Sequence, residues 1–230
     1  VQADIVLSSG YCAFARHVGF LSAVVARGVR VNALCGTSSG ALVGALFAAG
    51  HAPQWILEHA LARPPIAWVS LHSRPWRGIG TLAPAARQLR NWLPATFGEL
   101  PTPFAAGVAS RAPGGYRHGL LHEGPLVEAV LASCAMPWVF APVSHEGTEY
   151  LDGGAADRVG LGAARTWRGE QPTIVHWVER SAGKDPGALP DGARIVRTPR
   201  ARASLFGLRD RHQQALEAYQ LANEALQSMD

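Results

Sequence analysis

Apolar residues along this chain follow two different periods, and the alternation between them predicts the elements. Ile5 to Ser8 is a short apolar run ending in small residues, which reads as a strand. Phe14, His17, Val18, Leu21 and Val25 then recur at three- and four-residue steps, the pattern of a helix, and Gly28 stops it. Val31 to Cys35 forms the next strand. Ala41 to Ala49 follows as a helix that is apolar all round and is therefore expected at the centre of the fold. Pro53 to Ala62 reads as a helix with proline near its first turn. Residues 63–79, rich in Pro, Trp, Arg and Gly, have no regular period and read as a loop or lid carrying Trp68, Trp76 and Ile79.

The second half repeats the alternation. Thr81 to Trp92 reads as helix and Phe104 to Ser110 as strand, and Gly124 to Cys134 is a helix with Leu126, Val127, Val130 and Leu131 on its apolar face. A short strand ends at Tyr150 and Leu151, and Thr173 to Val178 and Ala193 to Val196 are strand-like. Leu205, Leu208, His212, Ala215, Tyr219, Ala222 and Leu226 describe one face of a long C-terminal helix. Strands alternating with helices imply an α/β fold, a mostly parallel central sheet with helices on both faces. A chain of 230 residues fits one such domain, spanning 1–230.

Composition narrows the setting. With 48% hydrophobic and 17% charged residues the chain is of the folded globular type. Its longest apolar stretches are short or broken by Pro137 and Pro142, so a membrane span is not expected. Val1 to Asp4 leads directly into a strand without a secretory pattern, so the expected location is cytoplasmic or peripheral to a membrane; a start without Met is also compatible with a removed leader. Cys12, Cys35 and Cys134 form no C-x-x-C and read as small buried hydrophobes. The net charge is +4, and Lys184 is the only lysine among 21 basic residues. Arginine binds phosphate bidentately, so contact with an anionic membrane surface is an open expectation. The one basic cluster, Arg194, Arg197, Arg200, Arg202, Arg209 and Arg211, reads first as a solvated face. Nucleic acid is not expected, because no aromatic interleaving accompanies the charge. Nothing in the sequence sets an oligomeric state.

Chemistry concentrates at Gly36-Thr37-Ser38-Ser39-Gly40, between a predicted strand and a predicted helix. A sharp strand-to-helix turn exposes Ser38 as a candidate nucleophile, and the crowding it creates calls for the smallest residues at Gly36 and Gly40. The following helix aims unpaired N–H groups and partial positive charge at the same point. No metal-ligand spacing and no phosphate-cradling motif is present, so neither a metal nor another cofactor is expected.

Three segments resemble, in order, the patatin-like phospholipases over about residues 4–160: Leu7 to Cys12 with His17 to Leu21, the Gly36 to Gly40 elbow, and Ala132 to Pro137 leading through Phe140 to Val143 to Asp152-Gly153-Gly154. Phe97 to Phe104 and Leu121 to Gly124 resemble linking segments of bacterial members. The resemblance implies a three-layer sandwich and a Ser38–Asp152 dyad, with Gly153 and Gly154 turning the backbone under the carboxylate. It implies an oxyanion hole at Gly10, Tyr11 and Cys12. This chain departs from the family there, reading Ser9-Gly10-Tyr11 in place of three glycines and Ala13 in place of a basic residue. The implied activity is hydrolysis of lipid or small esters through an acyl-enzyme, as a phospholipase A, lysophospholipase or carboxylesterase. Beyond the Asp-Gly-Gly turn, Asp157, Arg158 and Gly160 follow, with Asp157 expected to pair with Arg158 or another surface Arg. Three alternatives stay open: a triad completed by His176, an acyltransferase in which His145 takes part, and a lipid- or anion-binding module without turnover.

Overall fold

Ile5, Val6 and Leu7 point alternately into two cores. Ile5 and Leu7 join Leu34, Phe104 and Ile174 in the larger one, while Val6 joins Cys35, Ala105, Val175 and Trp177 in the smaller. This alternation is what a sheet covered on both faces requires, and it accounts for the uninterrupted apolar runs of the central strands. The computed structural model describes residues 1–73, 76, 78–179, 192–204, 206–208 and 210–227.

The first half comprises β1 (Gln2–Leu7), α1 (Phe14–Ala26), β2 (Arg30–Thr37), α2 (Ser39–Ala48), α3 (Pro53–Trp55), β3 (Ser70–Leu71), β4 (Gly80–Thr81) and α4 (Ala83–Leu89). The second comprises β5 (Phe104–Ala112), β6 (Gly115–Leu121), α5 (Leu126–Cys134), β7 (Val143–His145), β8 (Thr148–Asp152), α6 (Leu161–Arg168), β9 (Thr173–Val178), β10 (Ala193–Thr198) and α7 (Arg211–Leu226). The main sheet has eight strands, ordered β10-β9-β1-β2-β5-β8-β7, with β6 also on β5. From β10 to β5 the neighbours are parallel. The larger core lies under α1, α2, α4, α5 and α7, and α6 contributes Leu161 and Ala164 to the smaller one. Arg16 pins α1 to α7: its buried guanidinium donates to Gln214 O at 3.2 Å and meets Glu217 at 2.8 Å.

The sheet also has an antiparallel wing that the sequence pattern does not disclose. β6 and β8 run against β5, and β7 against β8. β6 carries no apolar alternation and stays half-exposed, and β7 has only three residues, so neither leaves a period to read. Further differences are local. Only the first turn of the expected Pro53–Ala62 helix is α; Ile56–Ala60 widens into a π turn. Val25 is exposed rather than core. α7 begins at Arg211, so Leu208 precedes it, and Leu205 and Arg209 lie outside the described residues. The basic cluster is dispersed: Arg202 pairs with Glu217, Arg211 meets Glu58, Arg197 lies over the Trp177 ring and Arg194 donates to Ala225 O.

Pairing along β5 positions the site. Its residues Ala106 and Gly107 pair with β6 on one side and β2 on the other, while Val108 and Ala109 pair with β6 and β8. A strand has two edges, so β2 and β8 must share the edge opposite β6. They run towards each other along it, Thr37 opposite Gly107 and Asp152 opposite the next residue, Val108. Two strand ends therefore meet head to head, one releasing Ser38 and the other ending on Asp152.

Candidate active site

Ser38 follows β2 with φ 55° and ψ −119°, a conformation rare for a residue with a side chain, before α2 starts at Ser39. Such strain costs on the order of 1–3 kcal/mol and persists only where surroundings over-determine it. The surroundings here are tight. A Cβ on Gly36 would stand 2.4 Å from Gly40 O, and one on Gly40 would stand 2.5 Å from Leu7 O. Ser133, buried near the end of α5, supplies a brace: its hydroxyl accepts from Ser38 N at 2.8 Å and donates to Gly107 O at 2.6 Å. Cys134 adds a second, its thiol donating to Ser38 O at 3.3 Å.

Asp152 is buried, and its Oδ1 accepts from Gly154 N at 2.8 Å. Burial disfavours the carboxylate and pushes it up to about 6, against the opposing influence of the nearby Ser38 hydroxyl and the Gly154 amide, which favour the charged form. Gly153 passes directly over β5, where an added Cβ would stand 2.5 Å from Gly107 O. Sequence places both groups at strand carboxyl ends in a parallel sheet; the strand carrying Asp152 instead arrives from the opposite direction.

Gly10, Tyr11 and Cys12 line the same cleft as Ser38. Gly10 is wedged, since a Cβ there would stand 2.7 Å from that of Ala13, whereas the left-handed residue of this loop is Cys12, at φ 50°. The loop is tied down from the far side. Ser9 N donates to Arg158 O at 2.7 Å, and Arg158 donates from Nη2 to Ser9 O at 3.0 Å and to Val178 O at 2.9 Å. Arg158 is thus turned inward, and Asp157 accepts from Val159 N at 2.9 Å. Sequence reasoning missed Arg158 and Ser133 in these roles. Ser133 could have been suspected as a hydroxyl on the buried, otherwise apolar face of α5.

Behind the elbow lies a buried polar chain. Ser39 Oγ is 3.2 Å from His17 Nε2, His17 Nδ1 is 2.8 Å from His176 Nδ1, and His176 Nε2 is 2.9 Å from Thr198 Oγ1. Desolvation pulls His17 down to about 3 and His176 well below its usual range, so both are neutral at pH 7. Both nitrogens of His176 are engaged in this chain, which leaves none for Ser38 and removes the geometry a His176-completed triad needs. His145 is buried in β7 with its ring facing Tyr150, and it is not among the residues lining the cleft. Among the described residues, no group of three or more His, Cys, Asp or Glu could hold a metal ion, and no helix is long and apolar enough to cross a membrane.

Ser38 opens into a cleft. Its walls are apolar: Leu42 from α2, Val130 and Leu131 from α5, Trp68 from the 65–68 turn, and Phe140. Among the described residues lining it, Arg63 alone is charged.

A serine strained at a strand-to-helix elbow, a buried carboxyl against it and an apolar cleft above define a class of α/β fold. The patatin-like phospholipase family matches residues 5–165, and the chain belongs to that family. Uncharacterized NTE family proteins of Mycobacterium bovis and Mycobacterium tuberculosis are 29% identical over 155 residues, 66% of this chain and 42% of theirs. The chain therefore matches less than half the length of these relatives. Among solved structures, VipD from Legionella pneumophila superposes with a TM-score of 0.61 at 13% identity, covering 98% of this chain and 67% of VipD. ExoU, in its complex with SpcU from Pseudomonas aeruginosa, gives 0.53 at 15%, covering 99% and 51%. At these identities the likeness is one of fold.

Proposed function

We propose that the protein is a lipid acyl hydrolase working through a Ser38–Asp152 dyad. The observation that carries this reading is the head-to-head meeting of β2 and β8 on adjacent rungs of β5, which brings Ser38, opening on an apolar cleft, beside the buried carboxyl of Asp152. A carboxylate of about 6 takes a serine proton far more readily than a solvated one of about 3.9. No histidine is needed.

In the first half-reaction, Ser38 Oγ bonds to the acyl carbon as its proton passes to Asp152. Loop N–H groups at Gly10, Tyr11 and Cys12 donate to the oxyanion. The ester C–O bond breaks, Asp152 returns the proton to the leaving alkoxide, and an acyl-enzyme remains. In the second half, water attacks the acyl carbon and gives a proton to Asp152. Ser38 leaves as its alkoxide, recovers that proton, and the carboxylic acid departs. The apolar walls at Leu42, Val130, Leu131 and Phe140 suit one acyl chain, and family membership supports a lipid ester as its source.

A fluorophosphonate probe tests the nucleophile: the wild type is expected to be labelled and Ser38→Ala not. Failure to label either protein, together with no turnover of p-nitrophenyl esters from short to long chain, would leave a binding module in place of an enzyme.

A further inference from the structure

We propose that the rim of the cleft formed by β3, β4 and the Pro137–Trp138 turn is the surface by which the protein docks on an anionic lipid bilayer. This inference rests on the acyl hydrolase reading only in saying what the docking delivers.

Trp138 carries the argument. It is 85% exposed and held at φ 69°, with Val139 N and Phe140 N both donating back to Met136 O. Proline followed by a left-handed residue makes a type II turn, whose third position favours glycine. The fold thus accepts strain to hold the largest side chain where the smallest would sit best, and it buries almost none of it. An outlier of this kind points to use rather than packing. Met136 and Phe140, on either side of Trp138, both line the cleft.

The neighbouring hairpin presents the same chemistry. Leu71 is 85%, Trp76 79% and Ile79 64% exposed. β3 pairs with β4, and Gly80 of β4 donates to Val139 O at 2.8 Å and accepts from Ala141 N at 3.3 Å, so hairpin and turn form one ribbon. Gly78 locks the join: an added Cβ would stand 2.3 Å from Ala141 N. Isolated exposed apolar residues are ordinary, but several on one ribbon at a cleft mouth mark an interaction surface. Tryptophan in particular favours the boundary between water and acyl chains.

Charge selects the partner. From residue 59 to residue 98 the chain contains no Asp or Glu, while Arg63, Arg74, Arg77 and Arg87 fall within it; Arg90, also in this stretch, is paired with Glu128 at 2.6 Å and adds no free charge. Arg63 is exposed and lines the cleft beside this ribbon's Val69. An acid-free basic stretch with exposed indoles matches an anionic bilayer, which attracts basic segments and accepts apolar side chains at its surface.

Flotation with large unilamellar phosphatidylcholine–phosphatidylglycerol vesicles tests this, using the full chain as Ser38→Ala to prevent turnover. The protein is expected to float, and less so with phosphatidylcholine alone. Trp138→Gly should cut partitioning about tenfold, the order expected from losing one large apolar anchor, with Ile79→Ser acting in the same direction. Because glycine adopts φ 69° freely, Trp138→Gly should keep or raise Tm and, in the Ser38 background, hydrolyse a soluble short-chain ester at the wild-type rate. Unchanged flotation of Trp138→Gly, or a lowered Tm, overturns the assignment. So does a wild type that floats on neither vesicle but forms a dimer which Trp138→Gly dissolves, since the ribbon then serves a second copy. If the wild type hydrolyses no ester yet Trp138→Gly abolishes flotation, the docking surface stands and the hydrolase reading alone falls.

Discussion

The amide of Ser38 is taken by the hydroxyl of Ser133, 2.8 Å away, so the N–H at the elbow is turned into the protein. In the proposed mechanism the oxyanion donors come from elsewhere, and the loop at Gly10 to Cys12 lines the same cleft. Ser133→Ala leaves a buried donor unpaired and loosens the elbow. Losing that partner is worth about 1–3 kcal/mol, so kcat/KM for a soluble ester should fall roughly 10- to 100-fold with a modest drop in Tm. Wild-type kinetics in this variant would show that the brace is irrelevant to the chemistry.

Asp152 gives activity and stability opposite slopes with pH. As the proposed base it must be ionised, so kcat/KM should rise through about pH 6, and Asp152→Asn should remove turnover at every pH. For stability, a carboxyl raised from 3.8 to about 6 on folding favours the folded state only when protonated. Its contribution is lost as pH rises between those values, to a total of about 3 kcal/mol. Asp152→Asn should therefore be more stable than the wild type above pH 6 and equal to it below pH 4, as read by denaturant unfolding.

Arg158 is expected to position the loop without touching substrate. Arg158→Met removes two donors to loop and strand carbonyls, at Ser9 O and Val178 O. The expected signature is a kcat lowered at least about tenfold with KM little changed, the pattern of an interaction made only in the transition state. A purely structural role would lower Tm and leave kcat per folded molecule intact.

Acid unfolding should trace to His17 and His176. Both are neutral in the folded state, with His17 lowered from 6.5 to about 3. Their stability is present above the unfolded value of 6.5 and is lost as pH falls towards the folded one. Two protons taken up on unfolding give a slope of about 2.7 kcal/mol per pH unit, steeper than the opposing contribution of Asp152. Urea midpoints between pH 7 and pH 4 check the sign: a midpoint that holds or rises over this range would rule out the buried neutral pair.

The parallel strands and central helices were legible because burial on one or two faces writes a period into the sequence: Ile5 to Leu7 and the all-apolar α2 could hardly be read otherwise. The head-to-head meeting of β2 and β8 was not, because it depends on which edge of β5 each strand takes, and pairing leaves no local pattern. The elbow was legible from two glycines around a serine. Ser133 and Arg158 were not, since a brace is defined by the distant carbonyl or amide it reaches, and those atoms are common to every residue. Trp138 escaped notice for a related reason: nothing in Met-Pro-Trp-Val tells an exposed tryptophan from a buried one.

The convergence of Thr37 and Asp152 on adjacent rungs of β5 bears on how the site fails when heated. Surface loops open locally at little cost, whereas central ladders exchange their amide hydrogens only with global opening. Hydrogen exchange should find Gly107 and Val108 among the slowest amides, so Ser38 and Asp152 stay in register until the whole molecule melts, and on the proposed mechanism any earlier loss of turnover belongs to the Ser9 to Ala13 loop.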